Sequence, residues 1–285
     1  MIYRFDPIVK QFVWGTESWI VSGIPGSESV VSGGPDDGKP ISALFPGEFP
    51  LLIKLIDARR DLSIQVHPDD ALAAQRHGTR GKTEMWYVTG ADEGAKLLSG
   101  LKCSITPDEY RRRVADSSIA DVLAEYSVSE GDVFFLPAGR IHAIGAGCRI
   151  AEIQTPSTIT YRIFDYNRPG LDGKPRQLHV EEACDAIDYS VSDDYRTHYE
   201  ACPDGEVMVV DCDFFKTALL DLGTEYTRSL ADCRDFLIAI CTEGSGLVGG
   251  TPLKAGEACL ITADEGSVTF SPENGHFKII TTKTK

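Results

Sequence analysis

The stretch "GDVFFLPAGRIHAI", residues 131–144, opens on a glycine and an acid, runs through an apolar segment, turns at Pro137 and Gly139, and reaches a histidine. Proline restricts φ and glycine accepts turn conformations, so the pair reads as a tight turn that sends the chain back and points His142 inward. A second copy, "GEACLITADEGSVTF" at 256–270, aligns with it without a gap. Thr262 stands where Pro137 is and Ser267 where His142 is, so the polar chemistry is kept only in the first copy. Two related β units are expected. The polar, acidic, turn-rich segment near 190–205 is the natural linker.

The surrounding sequence carries the same signature. Short runs such as "FPLLIKLIDA", "TEMWYVTG", "CRIAEIQT" and "FKIITTK" are separated by Gly, Pro and Asp turns, the pattern of a many-stranded sandwich or barrel. Helical signals are few. Asp69 or Asp70 can cap "DDALAAQRHG", Thr106 followed by Pro107 can start a helical run through "TPDEYRRRVADSSIADVLAEY", and "HVEEACDAI" reads as a third helix.

With 285 residues, 42% apolar and 25% charged, the chain has the composition of a soluble globular protein. Its apolar runs are too short to span a bilayer, and "MIYRFDPIVKQF" lacks the basic start and apolar core of a signal peptide. Eight cysteines without a C-x-x-C pair read as reduced thiols, so a cytoplasmic location is expected. A net charge of −15 argues against a nucleic-acid partner, which needs clustered Lys and Arg. A phosphorylated metabolite could still be held by a few local cations.

Of the six histidines, His77 reads as the end of a helix, His179 as the start of one, and His198 and His276 as turn residues. His67 and His142 differ, because each ends a β segment next to a Pro or Gly turn. In "DLSIQVHPDD", residues 61–70, Ser63, Gln65 and His67 alternate and so share one face of a strand. Gly131, Pro137, Gly139 and His142 are spaced like the second motif of cupins. Gln65-x-His67, with Glu84 displaced downstream, stands for the first. Ala146 replaces the usual terminal Asn.

The expected fold is therefore mainly β: a cupin (jelly-roll) barrel over 1–195 with a small helical insertion near 104–126, then a degenerate cupin-like β domain over 205–285. Gln65, His67, Glu84 and His142 offer an amide oxygen, two imidazoles and a carboxylate. Zinc accepts such a set, and two His with one carboxylate also serve non-haem Fe(II) oxygenases. The alternative is that Gln65 and His67 only satisfy each other at a strand end.

Several longer segments, in order, extend the likeness. "YRFDPIVKQFVWG", "FPLLIKLIDARRDLSIQVHPDD", "GKTEMWYV", "PAGRIHAIGAG" and "TYRIFDYNR" together resemble the type I mannose-6-phosphate isomerases of the short bacterial kind. The resemblance implies one Zn²⁺ per chain, with His67, Glu84 and His142 as ligands and Gln65 as a fourth. It implies Arg162 as the active-site arginine, Lys82 in proton handling or substrate binding, and Ser63 in the sugar-phosphate pocket. The implied reaction interconverts mannose 6-phosphate and fructose 6-phosphate through an enediol. A non-catalytic sugar-phosphate-binding cupin and an Fe(II) cupin oxygenase are the alternatives. More plainly, Arg162 could pair with Asp165 and Lys82 could be a loop charge. The chain departs from the short members at Thr158 and Ile20, where acids are usual. The partner expected is a small sugar phosphate, without membrane or nucleic acid, and the C-terminal strands are a candidate homodimer contact.

Overall fold

The computed structural model describes residues 1–285 and is built mainly of antiparallel strands. Two compact units are present: Val9–Ser18 with Lys54–Arg196, and Met1–Ile8 with Trp19–Ile53 and Thr197–Lys285. Both are discontinuous in sequence, unlike the ranges 1–195 and 205–285 read from it. The reason is long-range strand pairing: Ile2–Arg4 lies antiparallel to Ala258–Thr262. No helix is long and apolar enough to cross a membrane, and all eight cysteines are free thiols.

In the unit containing Lys54–Arg196, a five-stranded antiparallel sheet runs in the order Tyr161–Phe164, Ile64–Val66, His142–Ile144, Lys96–Leu101, Leu123–Ser127. Side chains alternate across it. Ile64, Val66, Ala143, Tyr161 and Ile163 join one apolar cluster with Tyr110 and Val114 of the Pro107–Ala115 helix and Ala183 and Cys184 of the Val180–Ala186 helix. On the other face, Leu97 and Ile144 pack with Trp86, Val88, Phe134 and Ile150 of the facing sheet. Gln65, His142 and Arg162 sit between members of the first cluster along their strands and so turn to the interior. The register sets them in one row: Arg162 opposite Gln65, Gln65 opposite His142, and His142 opposite Ser99.

The helical insertion is shorter than the sequence pattern suggests. Thr106 caps the helix by accepting from Glu109 N at 3.1 Å, and Pro107 occupies its first turn, but the helix ends at Ala115. Ser117 takes φ 65°, and after a single 3₁₀ turn residues Leu123–Ser127 form a strand on Lys96–Leu101. Edge pairing thus overrides local helix propensity in "LAEYS". Asp69, rather than Asp70, caps the Asp70–His77 helix by accepting from Leu72 N at 2.8 Å.

The other unit is a sheet ordered Ile2–Arg4, Ala258–Thr262, Phe236–Val248, Ser267–Thr284, Phe215–Leu222, Glu206–Asp211. Leu220, Leu237, Ile261, Phe270 and Phe277 form its core. The two copies of the sequence repeat fold alike, since strands start at Val133 and His142 in one and at the matching Ala258 and Ser267 in the other.

Candidate metal centre

Three segments bring polar side chains into the interior of the Lys54–Arg196 unit. His67 follows the Ile64–Val66 strand, Glu84 opens the Glu84–Ala91 strand, and His142 opens the His142–Ile144 strand. Backbone bonds lock these segments together. Gly139 N donates to His67 O at 2.9 Å, Lys82 N donates to Pro68 O at 3.1 Å, and Ala138 N donates to Thr83 Oγ1 at 3.3 Å. The Pro137–Gly139 turn depends on Gly139 at φ 88°, a conformation that costs a residue with a Cβ.

One donor atom from each of His67, Glu84 and His142 lies within 4.8 Å of the others, and the three side chains are no more than 3% exposed. His142 Nε2 is 3.3 Å from Glu84 Oε1, and His67 Nε2 is 3.7 Å from Glu84 Oε2. Each imidazole is oriented from behind. His67 Nδ1 donates to Ile159 O at 2.9 Å and His142 Nδ1 to Arg140 O at 2.8 Å. Those bonds place the N–H on Nδ1 and leave the Nε2 lone pairs facing the carboxylate, the arrangement of metal-binding histidines. Burial lowers both imidazoles' affinity for protons, His142 to about 4, so both are neutral at physiological pH, the form that can bind a metal.

Glu84 is ionised. Burial pushes its carboxyl up, but the neighbouring Lys82 ammonium outweighs burial and holds it well below the usual carboxylate range. Lys82 Nζ stands 2.6 Å from Glu84 Oε2, an ion-pair contact without hydrogen-bond alignment. Both Glu84 oxygens and His67 Nε2 are buried without a hydrogen-bond partner. Buried polar atoms are costly when unpaired. Three such atoms converging on one point fit a divalent cation, and the N₂O donor set suits zinc or iron alike.

Gln65 does not bond His67; its Nε2 approaches His142 Nε2 at 3.2 Å. With His142 protonated on Nδ1, the amide N–H donates to the Nε2 lone pair. Turning the amide over would present Oε1 there instead. Ser63, which immediately precedes the Ile64–Val66 strand, is buried. Arg162 makes no ion pair with Asp165, which is taken by Arg168 and Arg176. Burial and the neighbouring Arg176 depress the Arg162 guanidinium. Thr158 is exposed and Ile20 is a buried core residue. His77 bonds the Tyr161 hydroxyl at 2.8 Å and His179 Nδ1 accepts from Arg162 N, so both brace the strand carrying Arg162.

The sequence reading missed the charges behind the centre. Glu152 Oε1 accepts from Lys54 Nζ at 2.8 Å and lies 3.6 Å from Lys82 Nζ, while Glu152 Oε2 accepts from Trp86 Nε1 at 3.0 Å. Lys54 also faces Glu17 at 3.7 Å. The chain Glu17–Lys54–Glu152–Lys82–Glu84 thus alternates in sign, which lets each charge be buried. The signal was a charge flanked by apolar residues inside a strand, Lys54 in "LLIKLI" and Glu152 in "IAEIQ". Ser99, next along the row from His142, is fully buried with its hydroxyl unpaired.

Gly81 makes this packing feasible. A Cβ there would lie 2.4 Å from Asp69 C and 2.6 Å from both Asp70 N and Pro68 O. Gly81→Ala should therefore displace the His67–Asp70 end against Lys82 and Glu84. The expected loss is about 1–3 kcal/mol of stability, as for other overpacked sites, together with weaker metal binding. Denaturant unfolding and metal titration of the variant check this; wild-type values in both would show that the backbone yields there freely.

The comparisons with known proteins agree with this geometry. The profile of the family "phosphomannose isomerase type I, catalytic domain" matches residues 36–94. A mannose-6-phosphate isomerase of Streptococcus mutans is 39% identical over 182 residues, which is 60% of this chain and 57% of that protein. Mannose-6-phosphate isomerase ManA of Bacillus subtilis is 30% identical over 291 residues, covering 90% of this chain and 91% of that protein. The crystal structure of mannose 6-phosphate isomerase from Bacillus subtilis superposes with a TM-score of 0.89 at 29% identity, covering 99% of each chain. Likeness of this degree, carried along nearly the whole sequence and the whole fold, shows that the chain belongs to the type I phosphomannose isomerase family.

Proposed function

We propose that the chain interconverts mannose 6-phosphate and fructose 6-phosphate, with one Zn²⁺ held by His67, Glu84 and His142 and, through its amide oxygen, Gln65. The observation that carries this reading is the convergence of two oriented Nε2 lone pairs on a buried, ionised carboxylate whose oxygens accept no hydrogen bond. When bound, the metal supplies Lewis-acid stabilisation of charge developing on the sugar's oxygens, worth several kcal/mol. The remaining roles fall to the chain. Arg162 offers a planar fork to the phosphate or the enediolate oxygens. Lys82 carries a proton at Nζ beside Glu84 and Glu152, and a positioned proton-transfer group contributes roughly 10²–10⁴-fold. Ser63 contacts the substrate.

A coupled assay for conversion of mannose 6-phosphate, with elemental analysis of the purified protein, tests the proposal. Conversion with about one zinc per chain supports it. Binding without conversion would favour a sugar-phosphate sensor, and iron with oxygen consumption would favour an oxygenase. Arg162→Ala should retain the metal and lose about 10²-fold in turnover, the scale expected when a positioned charge-stabilising group is removed. Normal turnover in that variant would exclude the role given to Arg162.

A further inference from the structure

The loop after the Tyr161–Phe164 strand is anchored by one carboxylate. Asp165 is 5% exposed. Its Oδ1 accepts from Arg168 Nε at 3.0 Å, from Arg168 Nη2 at 2.8 Å and from Arg176 Nη2 at 2.6 Å; its Oδ2 accepts from Arg176 Nε at 2.7 Å. Asp165 thus grips the outgoing arm of the loop through Arg168 and the returning arm through Arg176. Between them the loop closes on itself, with Gly170 N donating to Lys174 O at 2.6 Å and Gly173 N to Gly170 O at 3.0 Å. Tyr166 and Asn167 adopt left-handed backbone, φ 55° and 51°, to make the entry turn. Such conformations in non-glycine residues persist where the surroundings over-determine them.

The returning arm lies along the strand that carries Arg162. Gln177 O accepts from Arg162 Nη1 at 2.9 Å, Arg162 N donates to His179 Nδ1 at 3.1 Å, and His179 N donates to Arg162 O at 2.7 Å. Arg162 has no carboxylate of its own, and its Nε is buried without a partner. Three guanidiniums therefore stand against one carboxylate, which bonds only two of them, beside the row that runs through Gln65 to His142. The excess positive charge calls for an anion, and the guanidinium fork suits a phosphoryl group.

We infer that Asp165 is a positioning residue for phosphate recognition: by tying both arms of the 165–177 loop, it holds Arg162 in place with its guanidinium turned to an anion. The inference rests on the sugar-phosphate reading above. It differs in sign from a role as mere counter-charge. Removing a negative charge beside three cations strengthens anion binding by electrostatics alone, whereas losing the tether weakens it.

The test titrates inorganic phosphate into the metal-loaded full-length wild type and Asp165→Asn by calorimetry, with KM and kcat for mannose 6-phosphate measured alongside. In Asp165→Asn, the phosphate Kd and the KM should both rise about tenfold, well within the range that misplacement of a binding group produces. Metal content should be unchanged and kcat should fall less. Phosphate bound by Asp165→Asn as tightly as by the wild type, or more tightly, overturns the inference. So does a wild type that does not bind phosphate. Arg176→Lys provides a charge-neutral second variant should Asp165→Asn not fold, because it keeps the cation and loses the bidentate fork. Weaker phosphate binding is expected there too, and unchanged binding overturns the inference. The titration reads phosphate recognition whether or not the wild type isomerises its substrate, so the two failures are distinct.

Discussion

His142→Ala will lose its metal and its isomerase activity together. The substitution removes one of two imidazoles whose Nε2 atoms face Glu84, and with it the ring that packs T-shaped on Trp86 with centroids 5.2 Å apart. Several kcal/mol of charge stabilisation correspond to about 10³-fold or more in rate. The expected result is a metal content well below that of the wild type and turnover reduced by at least that factor. Folding should persist, because the backbone ties of the turn, Gly139 N to His67 O among them, do not involve the imidazole. Elemental analysis and the coupled assay measure both quantities on one preparation. Full activity in metal-free protein would sink the metal mechanism.

Glu152→Gln should be the most destabilising conservative change in the centre. The amide can still accept from Trp86, but Lys54, 9% exposed at its side chain, loses its nearest carboxylate, at 2.8 Å, and keeps Glu17 at 3.7 Å. Removing one partner of a buried ion pair costs about 3–5 kcal/mol, against about 0–1 kcal/mol for an exposed pair. A loss near the lower range in denaturant unfolding would mean that water reaches the network. The acid limb offers a second check. Burial and Glu84 push the Glu152 carboxyl up, but Lys54 and Lys82 outweigh them and hold it below its ordinary value. A depressed carboxyl contributes stability in full above the unfolded value of about 4.3 and loses it as pH falls through the folded value. The difference between wild type and Glu152→Gln should therefore be largest near neutrality and shrink in acid.

Particular residues show why parts of this architecture were open to sequence reasoning and others were not. The strand-turn-histidine of 131–144 is local, so the spacing of Gly131, Pro137, Gly139 and His142 carries its own geometry. Alternation in "LSIQVH" likewise places Gln65 on the face opposite Ile64 and Val66. The strand at Leu123–Ser127 was hidden, because a run rich in helix formers pairs with an edge some 25 residues upstream. Lys54 and Glu152 were visible only as charges flanked by apolar residues in strands; their partnership joins residues 98 apart. Arg162 illustrates the reverse case. Its nearest acid in sequence, Asp165, is claimed by Arg168 and Arg176, a competition that only the folded loop decides.

By itself, then, the sequence determined what short-range chemistry can determine: a mainly β chain, the turn that returns His142, and donor atoms of the right kinds on Gln65, His67, Glu84 and His142. Tertiary structure decided what depends on long-range closure. It settled which imidazole nitrogens face Glu84, because the Nδ1 protons are claimed by Ile159 O and Arg140 O. It joined the Ile2–Arg4 strand to Ala258–Thr262 by pairing across most of the chain. It also left Arg162 without a counter-ion. Side-chain spacing along a strand is set by the covalent chain, but which charges meet in the interior is set by the register between strands.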